Sequence, residues 1–371
     1  WTSASPAAPP APVAPPGEAD VHAYPSVPRF LVTEDIIPGH AYASLQPSAG
    51  SRGFTQAVSR EWKMLQRGLP PGVFVAACSA RMDLLRAVLV GPRGTPYADA
   101  LFVFDIALPP DYPASPPQCH YLNRTERIHP NLYENGKVCL SLLGTWSGRG
   151  SERWAAKSSL LQVLVSVQGL ILTADPYFNE PGYEVERGTA KGAEASRLYS
   201  EGARLLTLHH AVSQIASPPP GCEALVRRHY SKCGAALLAE ARLLASDEGP
   251  APENAPGKAG MEVGAPVSDA AAAAPAPALS HADPSPPPAA ADEDAAVPAL
   301  QTTAGAVPPG QAASAPASVT SPSAARKAHG LPPAVPASHG FRVALRKLLP
   351  ALEAAIEGIP HDAEDVLVAR D

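Results

Sequence analysis

Aromatic residues make up only 6% of this 371-residue chain. No apolar run reaches the roughly 18–20 residues that a membrane-spanning helix needs, and the N-terminus lacks a basic stretch followed by an apolar core. These absences predict an intracellular protein, cytoplasmic or nuclear, with no membrane partner. A basic surplus is missing as well: 29 Lys and Arg face 35 Asp and Glu, for a net charge of −6. That balance gives no basis for nucleic acid as a main partner. The five cysteines, at 78, 119, 139, 222 and 233, contain no C-x-x-C pair and are odd in number. They suit neither a disulfide framework nor a zinc site, and they fit a reducing compartment. Methionine is absent from the first position, which Trp1 occupies, so the chain reads as part of something longer.

Proline is plentiful: 45 residues, concentrated towards the two ends. Residues 1–28 hold too few large apolar groups to offset a backbone ordering cost of roughly 1–2 kcal/mol per residue, and are expected to be disordered. Residues 29–52 form an arm in which Phe30, Leu31, Ile36 and Ile37 either lie extended against a folded domain or belong to a linker. Folding proper is expected over 53–216, followed by a helical extension at 217–245. From 246 to 340 the composition collapses to Ala, Pro, Ser and Gly, as in a flexible linker. An amphipathic helix over 341–358, marked by Phe341, Leu345, Leu348, Leu352 and Ile356 and kinked at Pro350, needs the folded domain or a partner to pack on. Residues 359–371 are a tail.

Within 53–216 the order of elements is informative. Phe54, Val58, Trp62 and Leu65 recur at helical spacing before Gly68 and Pro70. VFVAAC (73–78), LLRAVLV (84–90), LFVFDIAL (101–108) and QCHYL (118–122) are short, β-prone and bounded by turn residues, which predicts a four-stranded antiparallel meander. Ser158 or Ser159 then caps a helix that is apolar nearly all round and so expected to be buried. From Glu194 to Ile215 the pattern predicts an amphipathic helix with Leu198, Leu205, Leu208, Val212 and Ile215 on one side. The fold class is α+β: one N-terminal helix, a meander, then C-terminal helices.

The stretch HPNLYENGKVCLSLLGTW, from His129 to Trp146, is the candidate site. It places Cys139 eight residues after Asn131, and the polar set Cys139, His129 and Asn131 also occurs in papain-like cysteine proteases. That rival fails on context, since Cys139 follows an Asn-Gly turn at 135 and 136 instead of opening a helix. Cys78 and Cys119 lie in expected strands, where burial is the default for a thiol. Cys222 and Cys233, with His229 between them, lack the further ligands a metal site requires.

The pattern as a whole resembles the ubiquitin-conjugating enzyme family. GPRGTPYADALFVFDIALPPDYPASPPQCHY carries that family's G-P-x-x-T-P-Y, F-x-F-x-I and Y-P-x-x-P-P landmarks in order, the last through Tyr112, Pro113, Pro116 and Pro117. HPN with a cysteine eight residues on follows. NLYENGKVCLSLLGTW, PYFNEPGYE and PPPGCEALVRRHY are similar to the large atypical members: the O-type hybrid conjugating enzyme and ligase, the plant phosphate-homeostasis enzymes and the giant apoptosis-inhibitor enzyme.

The resemblance implies acyl transfer. An activating enzyme, which uses the ATP, hands ubiquitin to Cys139 as a thioester, and a substrate lysine then attacks; no cofactor is implied for this chain. Asn131 is expected either to donate to the oxyanion or to hold the turn, and His129 and Pro130 are expected to be structural. In the loop from Asp175 to Pro181, Glu180 falls where the family usually has Asp, with Asn179 before it, and would orient the incoming amine. A carboxylate alone raises an amine's pKa, so activation is expected from positioning and from desolvation by Tyr177 and Phe178. Two departures, Ala114 where ligase-docking members carry a bulky aromatic and a longer loop from Trp146 to Trp154, weaken the expectation of a separate ligase. A catalytically inactive ubiquitin-binding scaffold is the alternative.

Overall fold

The computed structural model describes residues 27–48, 51–148, 150–246 and 337–359. The flanks expected to be disordered lie outside the described residues, apart from their edges. So does the tail beyond Ile359.

The arm becomes part of the sheet. Residues Phe30–Thr33 (β1) pair in parallel with β2 (Val73–Cys78), so the sheet has five strands in the order β1-β2-β3-β4-β5 and is mixed. The expected antiparallel meander is its remainder: β3 (Leu84–Val90), β4 (Leu101–Ala107) and β5 (Gln118–Tyr121). The helix α1 (Arg52–Gly68) precedes β2, its first turn capped by the Ser51 hydroxyl, which accepts from the Phe54 N–H.

Every residue of β3 and β4 is buried, which is why both read as continuous apolar runs instead of alternating ones. One face presents Val75, Leu85, Leu89, Phe102 and Phe104 to Phe54, Val58 and Leu65 of α1 and to Leu160 and Val163 of α2 (Leu160–Ser166). The other presents Phe74, Val88, Val90, Leu101 and Val103 to a second core. That core is built by Leu225, Val226, Tyr230 and Leu237 of α4 (Glu223–Ala245) with Phe341, Leu345, Leu348 and Leu352 of α5 (His339–Glu357). The C-terminal helix therefore packs on this domain, against α3 (Ala190–Ala216) and α4, and its helical path runs through Pro350. Gly234 of α4 allows the close approach, since a Cβ there would lie 2.9 Å from a methyl of Ile356.

Two helices differ from expectation. The apolar helix after Ser159 is only seven residues long, opened by a reciprocal capping box between Ser159 and Gln162. A π-helical turn over Val167–Ile171 follows and leaves Leu170 61% exposed. In α3 the buried face is largely small or polar: Ala203, Thr207, His210, Ala211 and Gln214. His210 Nε2 and Gln214 Nε2 both donate to the Leu101 carbonyl, at 3.0 and 2.8 Å, while Leu205, Val212 and Ile215 turn to the second core and Leu198 stays exposed. Hydropathy spacing finds leucines, and a helix that ends a strand by hydrogen bonds escapes it.

One ion pair fastens the arm and the α3–α4 connection to the sheet. Arg86 and Asp105 are direct cross-strand partners, 2% and 0% exposed, joined by Nε–Oδ1 and Nη2–Oδ2 bonds of 2.6 and 2.9 Å. Arg86 also donates to the carbonyls of Pro38, Gly39 and Pro220, and Asp105 accepts from the Ala41 N–H. Arg86→Ala leaves the Asp105 charge buried without its counter-ion and is expected to cost about 3–5 kcal/mol. The joint change Arg86→Met with Asp105→Leu is expected to cost clearly less, as read from urea unfolding curves.

Candidate active site

Cys139 is held by hydrogen bonds that run both ways to Asn131. The Cys139 N–H donates to the Asn131 carbonyl and the Asn131 side-chain amide donates to the Cys139 carbonyl, each at 2.9 Å. The intervening turn closes through Tyr133 N–H to the Lys137 carbonyl and Gly136 N–H to the Tyr133 carbonyl. Gly136 has φ +84°, and a Cβ there would sit 2.1 Å from the His120 ring, so only glycine fits. Beyond Cys139 the Thr145 hydroxyl donates to the Val138 carbonyl at 2.6 Å and accepts from the Leu140 N–H at 2.9 Å, fixing the chain on the other side.

His129 is fully buried, and its Nδ1 accepts the Asn131 N–H at 2.9 Å. Burial, reinforced by the nearby Arg127 charge, pushes its pKa down to about 3, so the ring is neutral with its proton on Nε2. The one lone pair of that ring is already engaged by the turn, which leaves it nothing to take a proton from Cys139.

Near the thiol stand polar groups that sequence reasoning passed over. Cys139 is 2% exposed, and the Tyr133 phenol faces its side chain. Desolvation raises the pKa of that phenol, and a negative charge on Cys139 would add to the effect. The Arg127 guanidinium lies 4.4 Å from the centroid of the Tyr133 ring, donates to the Pro130 carbonyl and stands 3.4 Å from Glu180 Oε2. The facing loop thus reaches the turn through an ion pair. It also reaches it through Asn179, whose amide donates to the Leu170 carbonyl at 2.7 Å and stands 3.5 Å from Asn131 Oδ1.

Tyr177 and Phe178, the expected desolvating groups, are engaged elsewhere. Tyr177 packs on Tyr183 at 4.7 Å and donates to Glu186, and Phe178 lies under the Arg187 guanidinium at 4.3 Å. The available signal for Arg127 and Tyr133 was positional: each lies two residues outside His129 to Asn131, and tyrosine is uncommon in this chain.

Three of the remaining thiols are held protonated. Burial lifts Cys119 and Cys233 to about 12 and Cys222 to about 11. Among the described residues no group of three or more His, Cys, Asp or Glu side chains could hold a metal ion, and no helix is long and apolar enough to cross a membrane. In the proline motif Tyr112 is buried and Pro113 follows a cis peptide bond. Trp154, from the long loop, stacks on Tyr112 at 5.7 Å and donates its indole N–H to the Pro113 carbonyl at 2.9 Å, beside the exposed Ala114.

The ubiquitin-conjugating enzyme family model matches residues 57–204, a span that begins in α1 and ends in α3 and includes the whole of this site. Residues 57–204 have the ubiquitin-conjugating fold. Over 205 residues the chain is 50% identical to "Probable ubiquitin-conjugating enzyme E2 26" of Arabidopsis thaliana, covering 54% of this chain and 38% of that one. It is 48% identical over 211 residues to "Probable ubiquitin-conjugating enzyme E2 23" of the same plant, covering 57% and 19%. The human "Dual E2 ubiquitin-conjugating enzyme/E3 ubiquitin-protein ligase BIRC6" is 44% identical over 191 residues, covering 49% of this chain and 4% of its own length. The chain thus spans less than two thirds of the length of each of these relatives. Within this fold α1 and the sheet are the support, and the Asn131–Cys139 turn with the 175–181 loop is the candidate site.

The histidines make this support acid-sensitive. His129 falls from an ordinary value of 6.5 to about 3 and His210 to about 4, so between those values and 6.5 the unfolded chain binds the extra protons. Stability is therefore present above pH 6.5 and is lost as pH falls through that window, by at most about 1.4 kcal/mol per pH unit for each ring. Urea midpoints measured from pH 7 to pH 4 are expected to decline. In His129→Asn, whose side-chain oxygen can still accept the Asn131 N–H, the decline should be shallower.

Proposed function

We propose that the chain accepts ubiquitin from an activating enzyme as a thioester on Cys139 and passes it to lysine amines of substrate proteins. The observation that carries this reading is the reciprocal clamp between Asn131 and Cys139, with the Glu180 loop brought against the same turn by Arg127 and Asn179. In the first step the Cys139 sulfur attacks the activating enzyme's thioester carbonyl, forming one C–S bond as the other breaks. The exchange is nearly balanced and needs no strong base. A thiol this enclosed suits an acyl group carried on glycine, which brings no side chain. In the second step an amine forms the C–N bond, the Cys139 thiolate leaves, and the amine's proton passes to Glu180 or to water.

Asn131 serves first as the strut of the turn. Its amide already has an acceptor in the Cys139 carbonyl, so donation to an oxyanion would require it to exchange that bond. Transfer without a separate ligase is the finer part of the proposal. It is supported by Trp154 covering the Tyr112–Pro113 motif beside Ala114, and by likeness to a relative whose name couples both activities. An inactive scaffold would have no use for a cysteine held this closely.

Incubation with activating enzyme, ATP and ubiquitin is expected to give an adduct that thiols reverse. Cys139→Ala should abolish it and Cys139→Ser should convert it to a longer-lived oxyester. A folded, uncharged wild-type protein would overturn the assignment in favour of the scaffold. Glu180→Ala is expected to charge normally but discharge to free lysine roughly 10- to 100-fold more slowly. An unchanged discharge rate would remove Glu180 from the reaction.

A further inference from the structure

The acceptor side of the site poses a problem of sign. An attacking lysine has a pKa near 10.4 in water and must lose a proton, yet a lone carboxylate beside it holds that proton on more tightly. The desolvating aromatics that would offset this, Tyr177 and Phe178, turn towards Tyr183 and Arg187 instead.

What stands next to the carboxylate is a cation. Arg127 Nη2 is 3.4 Å from Glu180 Oε2, and the side chains are 18% and 32% exposed, so the guanidinium is the more enclosed of the two. Its position is set by contacts that do not involve Glu180: the Pro130 carbonyl accepts from it, and the Tyr133 ring lies beneath it at 4.4 Å. Pro130 and Tyr133 flank Asn131, so the same turn that clamps Cys139 also places the cation. A second charge, Lys137 Nζ, stands 5.3 Å from the centroid of the same ring. From α3, Tyr199 faces both Arg127 and Glu180, and the neutral His129 lies behind Arg127. Around the pair the turn thus adds the Lys137 cation, on the Tyr133 ring, and the other groups named are neutral rings.

We propose that Arg127 is a positioning residue for the acceptor lysine: by pairing with Glu180 it cancels the carboxylate's field at the amine, so that Glu180 orients the lysine without keeping it protonated. The inference rests on the conjugating reading and deepens it. Glu180 supplies direction, and the arginine held on the Cys139 turn supplies the compensating charge. Removing Arg127 leaves Glu180 unopposed, so the site binds the lysine cation more tightly and releases its proton less readily. Removing the Glu180 charge alone does the opposite.

The test is single-turnover discharge of preformed Cys139 thioester to free lysine, measured against lysine concentration from pH 6 to pH 9.5. Charging by activating enzyme is quantified first for each variant. Arg127→Met is expected to charge, to need less lysine for half-maximal rate, and to displace the log-rate profile by about one pH unit to the alkaline side, the usual scale for one nearby charge. Glu180→Gln should need more lysine and shift the profile to the acid side. The double variant Arg127→Met with Glu180→Gln should return the profile to near that of the wild type, and Arg127→Lys should keep it, which a merely structural Arg127 would not do. A charged Arg127→Met whose profile is unmoved, or a double variant that tracks Arg127→Met, overturns the proposal alone. Failure of the wild-type protein to charge overturns the conjugating reading and this inference with it.

Discussion

Two hydrogen bonds between Asn131 and Cys139, one from each residue to the other's carbonyl, are the constraint on which the site depends. They pin the ends of a turn that could otherwise slide, and so fix the backbone from which the thiol projects. His129 contributes by accepting the Asn131 N–H, which it can do only while neutral, and burial keeps it so. Gly136 contributes by fitting beneath His120, where any Cβ would collide. The turn also carries Pro130 and Tyr133, which seat Arg127 and through it Glu180. The proposed nucleophile and acceptor side are therefore set by one local structure.

That turn hangs from a sheet whose central strands, β3 and β4, have no solvent face. α1 and α2 cover one side, and α4 and α5 cover the other. Closing both faces makes any polar group on them a liability unless fully paired, and the Arg86–Asp105 pair meets that condition with the arm and the α3–α4 connection as its further partners. The pair ties together segments far apart in sequence, which hydrophobic burial alone would leave free to slide. α3 shows the same economy: it uses His210 and Gln214 to satisfy the Leu101 carbonyl at the end of β4, and its leucines to meet the second core.

Much of the layout was legible in the sequence because it depends on local pattern. Short β-prone runs between Gly and Pro marked β2 to β5, and the spacing of Phe54, Val58 and Leu65 marked α1. The parallel pairing of Phe30–Thr33 was left open because four apolar residues in an arm carry no information about the strand they join. The exposed Leu170 was missed because periodicity cannot see a π-helical turn. At the candidate site, Cys139, Asn131 and Glu180 stand out through their motif spacing. Arg127 and Tyr133 do not, because an ion pair across 53 residues of chain and a cation–ring contact leave no periodic trace.

The central claim is that Cys139 carries the acyl group. Its most direct test is mass spectrometry of the protein after reaction with activating enzyme, ATP and ubiquitin, with the modified residue mapped at low pH, where thioesters survive. The account predicts one ubiquitin added per chain, removed by hydroxylamine and located on the peptide containing Cys139. Ubiquitin on Cys78, Cys119, Cys222 or Cys233, or none at all on a folded protein, would contradict it.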